Sequence, residues 1–125
     1  MRIIIKKWGL SMRCFIVALM TLFIFFTAVV NAHPAEDLIL KYDRETGLLS
    51  IRVLHESKNF DKHYIEKVWV SVNKKKVVIQ EFTSQDDLYG LTLQYKIFNL
   101  KKGDIIKVDT RCNIFGEKSK TLAVE

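Results

Sequence analysis

A chain of 125 residues has room for one domain, and its formal net charge of +6 is a poor guide to partners. Residues 1–32 hold Arg2, Lys6, Lys7 and Arg13 and no acidic group, which leaves 16 basic and 14 acidic side chains beyond them, a net +2. No basic face with interleaved aromatics survives in residues 33–125, so the composition excludes a nucleic-acid-binding reading.

The four basic residues flank an apolar run of 17 residues, Cys14–Val30, and Val30-Asn31-Ala32 sets compact side chains at −3 and −1 of a cleavage after Ala32. A basic start, an apolar middle and a small-residue exit are the parts of a secretory signal peptide. The run also approaches the length of a spanning helix, so an uncleaved anchor is the alternative. Positive charge stays inside in both cases. Residues 33–125 are therefore expected outside the cytoplasm, in the periplasm or beyond, with the membrane touched only through an uncleaved signal. Cys14 stands at the start of the run, which does not suit lipoprotein processing. Only Cys112 remains past the signal, so no internal disulfide can form there. A lone thiol in an oxidising compartment is buried, paired with another chain, or bound to metal.

The period of residues 33–125 is that of strands. Asp37–Tyr42 reads as a short strand, and residues 43–47 as a turn closed by Gly47. Leu49, Ile51 and Val53 alternate with Ser50 and Arg52 up to His55, the pattern of a half-buried strand. A polar loop, 56–62, leads to a strand over Tyr64–Val72, with Trp69 expected in the core as large aromatics are. Residues 73–76 turn the chain into Val77–Thr83. After a second loop, 84–90, Leu91, Leu93, Tyr95 and Ile97 alternate. Residues 101–104 turn again, before Ile106, Val108, Thr110 and Cys112 share one face, and 119–124 close the chain. Seven short, regularly spaced strands predict an all-β, seven-stranded immunoglobulin-like sandwich over 33–125.

The side chains with chemistry to offer are His33, His55, His63 and Cys112, each expected at a strand end or in a loop. If they converge at one end of a sandwich, three imidazoles and a thiolate form a competent shell for iron, copper or zinc. The spacing matches no compact metal signature, and the plain alternative is two loop histidines and a small buried cysteine.

Two motifs sharpen this. His55-Glu-Ser-Lys-Asn-Phe-Asp-Lys-His63-Tyr64-Ile65-Glu66 resembles the stretch of the superoxide reductases (desulfoferrodoxin, neelaredoxin) in which a histidine loop leads into His-Tyr-Ile-Glu. Cys112-Asn113-Ile114-Phe115-Gly116 is similar to that family's Cys-Asn-x-His-Gly. The resemblance implies an immunoglobulin-like domain with non-haem Fe(II), superoxide as substrate and a separate electron donor. His55, His63 and Cys112 would be ligands, His33 a further one, and the family's superoxide-attracting lysine, whose segment has no clear match here, would be replaced by Lys62 or Lys58. The thiolate would push electron density onto the iron and speed product release.

The chain departs from the pattern at several positions. Phe115 takes the place of the family's fourth histidine, Glu56 that of a proline, and the loop between His55 and His63 is longer. Two other readings follow. Cleavage after Ala32 would join the amine and imidazole of His33 into a strong copper chelate. Alternatively, Phe115 closes the site in packing and leaves a metal-free binding or carrier domain in the envelope. No nucleophile motif supports a hydrolase.

Overall fold

The computed structural model describes residues 33–125 and, in a separate N-terminal unit (Met1–Asn31), the helical residues Cys14, Ile16, Val17 and Ala18. The expected signal segment and its cleavage point otherwise lie outside the described residues. No helix among the described residues is long and apolar enough to cross a membrane.

Residues 33–125 form the expected seven-stranded β-sandwich. Its strands are β1 (Asp37–Asp43), β2 (Leu48–Leu54), β3 (Ile65–Val72), β4 (Lys75–Glu81), β5 (Gly90–Lys96), β6 (Ile105–Cys112) and β7 (Glu117–Ala123). They divide into antiparallel sheets of three strands, β1-β2-β5, and four, β4-β3-β6-β7. The chain crosses between sheets after β2, β4 and β5, which is immunoglobulin-like connectivity with the fourth strand paired to the third.

Alternation sets the faces. Leu49, Ile51 and Val53 turn inward from β2, with Leu38 of β1 and Leu91 of β5, all at most 1% exposed. Val68, Val70, Ile106 and Val108 meet them from the other sheet, each at 0%. Burial of each such side chain stabilises the fold by roughly 1.5–3 kcal/mol.

Trp69 corrects one expectation. Val68 and Val70 take the inner face of β3, so the period of two turns Trp69 outward. There it is half-buried opposite Ile79, beneath the Lys76 ammonium 5.5 Å from its ring centre. The lysine run is likewise split. Asn73 and Lys74 alone form the turn, with φ of 47° and 73°, the two left-handed residues of a tight hairpin, and Lys75 and Lys76 begin β4.

The pairing brings five strand ends to one pole. Asp37 at the start of β1 and Gly90 at the start of β5 both stand beside Leu54, the last residue of β2. On the facing sheet, Ile65 at the start of β3 pairs with Cys112 at the end of β6. His33, His55 and His63 lie just beyond these ends.

Candidate metal centre

His55 directly follows β2 and is wholly buried, at 0% exposure. Its backbone N–H donates to the Tyr89 carbonyl at 2.9 Å. Gly90 permits this close approach. A Cβ there would stand 1.9 Å from the Val53 carbonyl oxygen and 3.0 Å from the His55 nitrogen.

The ring of His55 is held by Gln85, itself 3% exposed in the loop before β5. The Gln85 amide nitrogen donates to the carbonyls of His55 and Asp87, at 2.8 and 2.9 Å, which fixes which end of the carboxamide is oxygen. That oxygen accepts from Ile65 N–H at 3.3 Å and lies 2.8 Å from His55 Nδ1. The proton of His55 therefore sits on Nδ1. Its Nε2 faces the carbonyl oxygen of His33 at 3.1 Å.

His63 is set by Asn113. The side-chain oxygen of Asn113 accepts from Tyr64 N–H at 2.9 Å, its amide donates to the Lys62 carbonyl at 2.9 Å, and its backbone N–H donates to the Tyr64 carbonyl at 3.0 Å. The residues on both sides of His63 are thereby clamped to the end of β6. His63 Nε2 is the one buried side-chain nitrogen or oxygen among the described residues that finds no hydrogen-bond partner. Burial pushes the imidazole below the usual histidine pKa, the neighbouring His55 and His33 rings act in the same direction, and the His33 backbone opposes them.

His33 reaches the same point from the strand-β1 side. Glu36 N–H donates to the Leu54 carbonyl at 2.8 Å, which anchors the segment, and His33 Nδ1 contacts the Pro34 carbonyl at 2.9 Å. Gly116, with φ of 98°, lets the turn after β6 press on this segment: a Cβ there would meet Pro34 N at 2.8 Å. The ring centres of His33, His55 and His63 lie 4.6–5.1 Å apart. One ligating nitrogen from each lies within 4.8 Å of the others.

These three imidazoles could hold a metal ion. His55 has Nδ1 engaged by the Gln85 oxygen, the outer hydrogen bond by which metal-ligating histidines are oriented, and His63 offers an orphaned buried nitrogen. The remaining predicted residues are arranged otherwise. Cys112, expected as a ligand, does not join the group among the described residues. It is 3% exposed, packs in the core opposite Ile65, and its Sγ lies 3.9 Å from the side-chain oxygen of Asn113. Inward alternation along β6 sends it into the sandwich rather than out at the pole. Lys62 is exposed and next to His63 in the chain. Phe115 is 69% exposed, so it does not close over the site, and the packing argument for a metal-free domain loses its support.

Sequence reasoning missed Gln85. A lone glutamine in a polar loop carries no local signal, and only the fold shows that it bridges β2 and β3. Asn113 was visible within the Cys-Asn-x-x-Gly motif, though its role as the clamp of His63 was not. No protein-family model, curated protein or solved structure matches this chain. Fold and site together define a β-sandwich with a three-imidazole pole.

Proposed function

We propose that residues 33–125 are an exported metal-binding domain that holds a first-row transition-metal ion on His33, His55 and His63. The observation that carries this is the buried, unpartnered Nε2 of His63 within a group of nitrogens no more than 4.8 Å apart. Three imidazoles, with the Glu36 carboxylate 4.0 Å from His33 Nδ1, suit iron, copper and zinc, and leave coordination positions for a small ligand.

The resemblance to superoxide reductases makes Fe(II) the first ion to test and superoxide the first substrate. A bound Fe(II) would supply the electron that reduces superoxide. The chain's own part is to orient the imidazoles through Gln85 and Asn113 and to attract the anion. Lys62, exposed beside His63, is the cation we assign to that attraction. Purified protein reconstituted with Fe(II) should consume superoxide, and Lys62→Glu should slow the second-order rate at low salt while leaving iron content unchanged. Iron-loaded protein with no reaction above free iron would remove the redox reading and leave metal binding alone.

Copper is the second reading, and one observation favours it. The main chain of His33, not only its ring, borders the centre through the carbonyl 3.1 Å from His55 Nε2.

A further inference from the structure

The His33 carbonyl oxygen lies against His55, and covalent geometry keeps the His33 backbone nitrogen within about 3.6 Å of that oxygen. That nitrogen is the one that cleavage after Ala32 would liberate. We infer that signal removal completes the metal centre: the freed α-amine of His33 becomes a fourth nitrogen donor, chelating with its own imidazole beside His55 and His63. This rests on the reading of the three imidazoles as a metal site.

The step is hydrolysis by a signal peptidase. Water adds across the Ala32–His33 amide, Ala32 leaves with the carboxylate, and His33 keeps an amine that sheds its proton when it binds metal. An amide nitrogen is a poor donor before cleavage, because its lone pair is delocalised into the carbonyl. An amine is a good one. The unprocessed chain thus has three nitrogen donors and the processed chain four. The Nδ1 of His33, which rests on the Pro34 carbonyl at 2.9 Å, can exchange that contact for the ion held by the amine.

Two consequences follow. Four nitrogen donors favour Cu(II), which heads the affinity order of the divalent first-row ions. The site also gains strength only after export, so the domain acquires its ion outside the cytoplasm.

The test uses the full chain with its own signal, exported and processed in a bacterial host, with the mature terminus determined by mass spectrometry. A second form carries a Ser-Gly-Ser-Gly spacer inserted between Ala32 and His33, which moves the amine away and leaves all three imidazoles. Circular dichroism checks that both are folded. Cu(II) affinity is measured by chelator competition, and nitrogen coordination by electron paramagnetic resonance. The expected result is a terminus at His33 and Cu(II) binding tighter than in the spacer form by about 100-fold or more, the gain from tethering a second donor to the first. A different terminus, or equal affinity with the same spectrum, overturns the inference. Equal affinity that is lost in His63→Ala leaves the three-imidazole reading intact. Absence of Cu(II) binding in every form overturns both.

Discussion

Gln85 grips His55 at two points, accepting from its ring Nδ1 and donating to its carbonyl, each at 2.8 Å. The same oxygen takes the N–H of Ile65, so one buried carboxamide ties the end of β2 to the start of β3 across the two sheets. Replacement by leucine would strand the His55 carbonyl, its Nδ1–H and the Ile65 N–H in a buried site. Gln85→Leu should cost about 2–4 kcal/mol in denaturant unfolding of the metal-free protein. It should also weaken metal binding by about 10–100-fold, the usual result of removing the group that orients a ligating histidine. Full stability with weakened binding would mean that Gln85 tunes the ion without holding the sheets together.

Gly90 and Gly103 separate two effects that a glycine can have. Both adopt left-handed φ, 133° and 92°, but an added Cβ at Gly90 meets the Val53 carbonyl at 1.9 Å, whereas nothing lies within 4 Å at Gly103. Gly103→Ala should therefore cost only the conformational strain, about 1–2 kcal/mol. Gly90→Ala should cost more than that, about 3 kcal/mol or above, because the backbone that carries His55 must shift. Thermal unfolding of the pair checks this. Equal losses would show that the close approach at Gly90 relaxes freely.

The pH dependence follows from His63. Its folded pKa is held below the usual value of 6.5, so the folded state binds fewer protons than the unfolded state once pH falls to that range. Stability from the neutral ring is fully present above about pH 6.5 and is lost as pH falls through the depressed folded value. Metal affinity should fall in the same direction, because protons compete for the ligating nitrogens. Replacement of His63 by asparagine should flatten the stability profile in that window. A stability that rose on acidification through it would contradict the assignment.

Cys112 is predicted to matter for packing more than for metal. Cys112→Ser buries a hydroxyl among apolar neighbours and should cost about 1–3 kcal/mol. Metal content should not change. A charge-transfer band from thiolate to metal that vanished in this variant would instead bring the sulfur into the shell.

The sequence made the sandwich legible wherever alternation was strict, as in Leu49-Ser50-Ile51-Arg52-Val53, because a half-buried strand has little freedom in which face it buries. Trp69 was misread because residue type was weighed before register: Val68 and Val70 on either side had already claimed the inner face. The three histidines could be named from their positions at strand ends. Their convergence depends on pairings distant in sequence, Asp37 with Leu54 and Ile65 with Cys112, that no local pattern encodes. Alternation also held the reason that Cys112 turns inward, since it continues the buried face of Ile106, Val108 and Thr110.

The most direct test is metal stoichiometry in the parent protein and in His63→Ala. Both are purified without chelating resin, reconstituted with Fe(II) or Cu(II), desalted and assayed by elemental analysis. The account predicts one ion per parent chain and loss of binding by at least about 100-fold in His63→Ala, beyond the effect of removing an orienting partner. Parent protein that retained no ion, or a variant that bound as tightly as the parent, would contradict it.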